Sequence, residues 1–325
     1  MKYLRLCRAQ TAPASILLIL TAFMNGEHSL TGVFILGIFG LFVHYISFAE
    51  NSLHDYIAGY DKNDKNKAHH PLSTGDISVH NAILLIHWGL PLLMVIAITI
   101  TLWLSPNPIW PLICLPLWYV WGQSYNLGLD KETILAVIPI SLCFSFMVVW
   151  AWLLSHQELG GLGWLFMGYA FFTIVYQTGY SGNLKEMQVG EKSNVIARMG
   201  AHLDVDWKGQ KTFVPGRARF YAWFVKGFNV AFGATLLWLQ FTLVRLVIFV
   251  LLLAPIAFYL TKTTRQRPYD RPKELAQMGL MEICTIYLPI PLLLDLPTAL
   301  ILMAVGVIYY FGMNKVLWST SYPRV

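Results

Sequence analysis

Apolar runs of membrane-spanning length recur along the chain, near residues 9 to 25, 30 to 50, 79 to 104, 108 to 126, 132 to 154, 161 to 181, 218 to 238, 241 to 261, 275 to 293 and 296 to 314. A hydrocarbon core about 30 Å thick needs about 20 residues of helix to cross it. The pattern predicts an all-α polytopic transmembrane bundle of ten helices. It predicts nine if the last two runs, which share Pro289, Pro291 and Pro297, form one kinked or re-entrant segment. Outer-membrane barrel strands are excluded, because the runs have neither their length of about ten residues nor their alternation. No repeat, low-complexity tract or linker divides the sequence, so residues 1–325 read as a single transmembrane domain.

Composition strengthens this reading. The chain is 56% hydrophobic and 12% charged, with a mean hydropathy of +0.55, which is more apolar surface than a soluble core of this size would bury. The opening MKYLRLCRAQ and the apolar run after it have the look of a secretory leader. No small-residue cleavage site follows, however, and the second run begins at once, so the first run reads as a span. Cys7, Cys114, Cys143 and Cys284 are scattered without a C-x-x-C pairing and are expected to be buried free thiols.

The charges set a topology. If the helices alternate, the connections near 26–29, 105–107, 155–160, 239–240 and 294–295 lie on one side, and none contains Lys or Arg. Of the 23 Lys and Arg, only Arg245 falls outside the termini, the loops 51–78, 127–131, 182–217 and 262–274, and the helix ends beside them. The positive-inside rule then makes the polar loops cytoplasmic, in a protein of the cell membrane, and with ten spans both termini lie on that side too. The net charge of +6 is read as a topology signal. Its dispersal among loops, interleaved with acids, argues against a nucleic-acid partner.

Two polar stretches carry candidate chemistry. In AENSLHDYIAGYDKNDKNKAHHPLSTGDIS, residues 49–78, Asn51 and Asp55 are four apart and share a face if the second helix continues through them. Gly59 then breaks the helix, so that Asp61 and Asp64 can fold back toward the same space, with Lys65, Lys67, His69 and His70 following. Oxygen ligands of this kind suit Mg²⁺, which takes one or two carboxylates and completes its shell with water and substrate phosphate. A solvated loop of mixed charge would read the same way, and the second stretch shifts the balance. YSGNLKEMQVGEKSNVIARMG, residues 180–200, follows the sixth span on the same side and offers Asn183, Glu186 and Glu191, with Lys185, Lys192 and Arg198 close by. Two such sets would let two metal ions grip one diphosphate and neutralise its charge as it departs.

The pair of motifs resembles that of the UbiA superfamily of intramembrane prenyltransferases, whose members carry an aspartate-rich motif after the second helix and another after the sixth. N-S-L-H-D-Y-I-A-G-Y-D, Asn51 to Asp61, is most similar to the variant of the 1,4-dihydroxy-2-naphthoate polyprenyltransferase branch. H-H-P-L-S-T-G-D-I-S, His69 to Ser78, resembles the segment opening the third helix, with His70 where that family usually has Arg. The opening L-R-L-C-R, Leu4 to Arg8, and N-V-I-A-R-M-G, Asn194 to Gly200, look like further landmarks. In the second motif Asn183 and Glu186 stand where aspartates are usual, and Glu191 is one residue displaced.

The resemblance implies a Mg²⁺-dependent transfer from a polyprenyl diphosphate donor to a small aromatic or lipid acceptor, within membrane lipid. Asn51, Asp55, Asp61, Asn183, Glu186 and Glu191 would hold metal, and Lys67, His70, Lys185 and Arg198 would hold diphosphate. Ionisation leaves an allylic cation that an aromatic lining shields, with Tyr45, Phe48, Tyr125 and Tyr176 as candidates. Arg8, Tyr125, Asn126 and Glu282 are candidates for the lining of the acceptor or cation site. Asn126 could equally cap its helix. Glu282, an ionisable group inside a span, is a functional candidate by default but could instead reach the interface. The same ionisation would serve a lipid alcohol acceptor or an intramolecular terpene cyclisation. A secondary transporter is the competing class, but it predicts ionisable groups near the bilayer midplane.

Overall fold

In a computed structural model, residues 1–59, 70–127, 134–185, 187, 194–206 and 209–319 are described. Asp61, Asp64, Lys65, Lys67, His69, Glu186, Glu191 and Lys192 lie outside them.

The described residues contain ten long helices, numbered here α1 Ala12–Met24, α2 Leu30–Ile57, α3 Val79–Leu104, α4 Ile109–Asn126 and α5 Val137–Leu153, then α6 Gly160–Tyr176, α7 Gly216–Leu239, α8 Leu243–Thr263, α9 Arg271–Tyr287 and α10 Leu296–Trp318. Each coincides with one predicted run. Six segments are long and apolar enough to cross a membrane unaided: α2, α3, α7, α8, α10 and Arg271–Leu293, which extends α9 through the short helix Ile290–Leu293. The prolines at 289 and 291 do not fuse the last two spans. The chain turns at Leu294, and Asp295 restarts α10 by accepting the Thr298 amide at 3.1 Å.

Local chemistry sets the other helix starts in the same way. Ser29, Ser78 and Thr242 hold extended backbone and accept the amides of Gly32, Asn81 and Arg245, satisfying donors that a helix N-terminus leaves without partners. α2 stops where expected, with Gly59 in the left-handed region at φ +89°.

The bundle is arranged for lipid. On α3, Trp88, Leu92, Val95 and Leu102 fall on one helical face and are all exposed, as befits a surface whose solvent is hydrocarbon. The interior is built by α1, α5 and α6, where Leu18, Ile19, Trp150, Phe166 and Tyr169 are fully buried. α5 packs between α4 and α6 and also against α1. All four cysteines are free and buried.

The contacts at the two ends match the alternation expected from the charges. At one end Asn25 Nδ2 reaches the Leu293 carbonyl at 2.7 Å and Ser105 Oγ the Leu153 carbonyl at 2.9 Å. Arg245, the basic residue left over from the loops, spends its guanidinium there on the carbonyls of Gln240, Pro291 and Leu294. At the other end Arg5 donates to the Leu317 carbonyl, so the N-terminal segment and the end of α10 meet.

One addition to the helices went unforeseen. The connection between α6 and α7 carries a hairpin, β1 His202–Asp206 and β2 Gly209–Phe213, and β2 pairs on its other edge with β3, Arg267–Pro268. The alternation in H-L-D-V-D, which puts Leu203 and Val205 on one face of the pleat with Leu203 buried and Val205 exposed, is a strand signal only five residues long.

Candidate functional site

The helices surround a cavity of about 320 Å³. Its deep part is apolar, walled by mid-helix residues such as Leu17, Val43, Trp118, Phe144 and Met147. Its mouth is polar, and there the ends of α2 and α6 meet. Asn51 from the first motif and Asn183 and Lys185 from the second line the same space.

The first side is built by α2. Asn51 is about six turns from its start, and its Nδ2 is buried with no partner among the described residues. Asp55 is one turn further on, outside the cavity lining. Next to Asn51 stands Glu50, only 4% exposed, whose two oxygens are held by α4: Gln123 Nε2 donates to Oε1 at 2.8 Å and Asn126 Nδ2 to Oε2 at 2.7 Å. Asn126 is thus a carboxylate partner on the cavity wall and not simply a cap.

The second side depends on a break in helical register. Residues Gln177–Ser181 form a π-turn between α6 and the short helix Gly182–Lys185, and such turns concentrate at functional sites because they re-aim side chains. Here the turn directs both its ends at one carboxylate. Ser181 Oγ donates to Glu282 Oε1 at 2.7 Å and Gln177 Nε2 to Oε2 at 3.3 Å. Glu282 therefore sits on the cavity wall and does not reach out to the interface. Asn183 Nδ2 is tied to the Thr178 carbonyl at 2.9 Å, which leaves its Oδ1 buried with no partner among the described residues.

A third wall comes from the N-terminus. Arg8 adopts φ 46° and ψ 47°, a left-handed conformation that a non-glycine residue holds only under constraint from its surroundings. Its carbonyl accepts from Thr11 Oγ1 at 2.8 Å and lies 3.3 Å from His44 Nε2. His44 in turn bonds Ser15 Oγ at 3.1 Å and stacks on Phe48 with centroids 4.1 Å apart. The Arg8 guanidinium lies 5.8 Å from the Phe48 ring centre, and its buried Nε has no partner among the described residues. Burial pushes the neighbouring Cys7 thiol up to about 12, so no thiolate is available there.

Of the residues marked from sequence, Arg8, Asn51, Tyr125, Asn126, Asn183, Lys185 and Glu282 share the cavity. Asp55, His70 and Arg198 are not on its wall: His70 is buried beneath the turn that precedes α3, and Arg198 is exposed at the end of the short helix Val195–Arg198. Among the shielding aromatics, Phe48 lines the cavity beside Tyr125, whereas Tyr45 bonds the Tyr309 hydroxyl at 2.7 Å and Tyr176 is packed against Lys226.

Sequence reasoning missed Glu50, Gln123, Gln177, His44 and Lys226. Lys226 is 2% exposed within α7, its Nζ 3.1 Å from Thr285 Oγ1 and 4.1 Å from the centre of the Tyr176 ring. In the sequence it reads as part of a helix end, because Arg217 and Arg219 begin the same run. A lysine so placed corrects the expectation that Arg245 alone among the Lys and Arg falls outside the loops, termini and helix ends.

Among the described residues, no three His, Cys, Asp or Glu side chains converge as a metal cluster. The donors present nonetheless fit a hard cation. The orphaned Asn183 Oδ1 and the Asn51 amide, whose oxygen and nitrogen positions are interchangeable, offer oxygen at one mouth.

No curated protein gives a significant sequence match to the chain. Solved structures do. A UbiA homolog from Archaeoglobus fulgidus bound to Cd²⁺ superposes with a TM-score of 0.61 at 18% identity, covering 90% of this chain and 99% of that one. A structure of a UbiA homolog from the same organism bound to DMAPP and Mg²⁺ gives 0.57 at 18% identity over 98% and 100%. The apo UbiA homolog from Aeropyrum pernix K1 gives 0.59 at 15% identity over 92% and 96%. These similarities establish the fold, and a sequence model of the UbiA prenyltransferase family matches residues 12–283. That match spans most of an apolar helical bundle with six segments long and apolar enough to cross a membrane, and the chain belongs to the UbiA prenyltransferase family.

Proposed function

We propose that this prenyltransferase moves a polyprenyl group from an allylic diphosphate to an acceptor that is an aromatic quinone precursor, with the polar mouth on the cytoplasmic side of the cell membrane. The observation that carries the reading is the meeting of Asn51 with Asn183 and Lys185 over one cavity whose depth is apolar. The diphosphate head belongs at that mouth and the isoprenoid tail in the apolar depth. The Archaeoglobus fulgidus homolog bound to DMAPP and Mg²⁺ supports the same donor chemistry here.

Asn51, Asp55 and Asp61 on one side, and Asn183, Glu186 and Glu191 on the other, would hold two Mg²⁺ ions. Bound Mg²⁺ supplies charge neutralisation on the departing diphosphate. Lys185 brings a direct positive charge to the same mouth, and Lys67, His70 and Arg198 are the further candidates for that role. The apolar wall keeps water from the allylic group while charge develops. Arg8, whose Nε has no partner among the described residues and whose guanidinium lies over the Phe48 ring, supports an acceptor that is flat and carries an anionic group.

The test incubates the purified, detergent-solubilised protein with radiolabelled geranylgeranyl diphosphate and a panel of aromatic and lipid-alcohol acceptors, with Mg²⁺ and with chelator. Prenylated aromatic product and chelator-sensitive diphosphate release are expected. Release that ignores the chelator overturns the metal assignment, and product formed only on the lipid alcohols overturns the acceptor.

A further inference from the structure

We infer that Glu50 selects the acceptor, by accepting a hydrogen bond from an acceptor hydroxyl at the cavity wall. This rests on the prenyl-transfer reading and names the acceptor chemistry within it.

The argument begins with the fork on α4. Gln123 and Asn126 are three residues apart and share a helical face, so their amides meet the two oxygens of a single carboxylate at 2.8 and 2.7 Å. All three side chains line the cavity. An ionised carboxylate has about four acceptor positions, and the fork fills two of them. Both donors are neutral amides, and among the described residues no Lys or Arg pairs with Glu50. A carboxylate that is 4% exposed and satisfied only in part is expensive to keep away from water. A donor arriving from the cavity would complete its shell.

The candidate occupants differ in what they can offer. A diphosphate presents acceptor oxygens and would be repelled. An acceptor's carboxylate would be repelled likewise, which directs such a group away from this wall and toward Arg8. An isoprenoid tail has no donor. A hydroxyl supplies the missing hydrogen bond, and to a charged oxygen that bond is of the strong kind. Glu282, on the part of the wall formed by α9 and the π-turn, already takes a hydroxyl from Ser181 as well as the Gln177 amide, so the two carboxylates are not equivalent.

The test uses the full-length protein in detergent under anaerobic conditions and measures the binding of 1,4-naphthalenediol and 1,4-dimethoxynaphthalene, which share a ring and differ in hydroxyl hydrogens. The expected result is a preference of about tenfold for the diol in the wild type, most of which is lost in Glu50→Gln and kept in Glu50→Asp. Affinity for geranylgeranyl diphosphate with Mg²⁺ is measured beside it and is expected to stay within about twofold, since Glu50 faces α4 and the acceptor. Equal binding of the two probes by the wild type overturns the inference, and needs no variant to do so. An unchanged preference in Glu50→Gln also overturns it. A loss of Mg²⁺-dependent donor affinity in that variant overturns it too, by placing Glu50 in the metal site. If the wild type releases no diphosphate from any allylic donor, the prenyl-transfer reading falls, while the diol preference still decides the role of Glu50.

Discussion

Ser181 Oγ donates a 2.7 Å hydrogen bond to Glu282 Oε1, joining the π-turn after α6 to the middle of α9. The bond is the geometric reason that a carboxylate inside a span has a fixed place on the cavity wall. Hydrogen bonds to charged groups contribute about 1.5–3 kcal/mol. A double-mutant cycle on thermal stability with Ser181→Ala and Glu282→Gln should therefore return a coupling of about that size. Strict additivity would show that the contact holds nothing in place.

Asn183 Oδ1 is a buried oxygen on the cavity wall with no partner among the described residues, as a cation ligand would be. Asn183→Leu should lower Mg²⁺-dependent diphosphate release by about 10²-fold, because stabilisation of leaving-group charge is commonly worth that much. Its thermal midpoint should stay close to wild type, since only the bond to the Thr178 carbonyl is lost. A Mg²⁺ titration of both proteins decides it, and identical titration curves would remove Asn183 from the metal site.

Asp55→Asn is expected to abolish turnover without unfolding the protein. The side chain lies one turn beyond Asn51, half-buried and off the cavity wall, and asparagine keeps its size. Full activity in this variant would take Asp55 out of the ligand set.

Gly179 lies within the π-turn, where an added Cβ would meet the Tyr221 hydroxyl oxygen and come within 3.0 Å of Val137 Cγ1. Tyr221 is held by the Val175 carbonyl and cannot swing away freely. Gly179→Ala should cost about 1–3 kcal/mol through overpacking and should displace Gln177 and Ser181 from Glu282. The expected readout is a lowered thermal midpoint together with reduced turnover. A variant that keeps both would mean that the turn tolerates a side chain.

Asp295 sets a pH dependence at the opposite end of the bundle. The backbone amide of Thr298, and then its hydroxyl, hold the carboxyl below its ordinary value of 3.8. A folded-state value lower than the unfolded one means that the cap stabilises α10 fully above the ordinary value. That contribution disappears as the pH falls through the lowered one. Asp295→Ala should lower the thermal midpoint at neutral pH and show a shallower decline than wild type below about pH 4. Parallel declines in the two proteins would deny the carboxylate this role.

The ten helices were legible because burial in lipid is written directly as hydropathy, and because Gly59 marks the end of α2 by local chemistry. The motif positions Asn51 and Asn183 were legible from residue type and spacing. Glu50 was not, although it adjoins Asn51, because what defines it are the amides of Gln123 and Asn126, some 73 and 76 residues away in sequence. The π-turn leaves no compositional trace, since it is one added residue in a hydrogen-bond pattern. Lys226 was hidden by its neighbours, as a basic residue a few positions after Arg219 resembles the end of a span. Its partners Thr285 and Tyr176 come from other helices.

The small sheet has a mechanical consequence. β2 is sewn to β3 by the Thr212 hydroxyl on the Arg267 carbonyl, and Arg267 is clamped to Glu274 on α9 by a buried pair at 2.5 Å. Tyr269 and Arg271 both grip the Lys185 carbonyl, at 3.0 and 3.3 Å. The rim of the second motif and the root of α9 are therefore one stiff plate. A head group that pulls on Lys185 must tug the whole plate, and Glu282 rides on it.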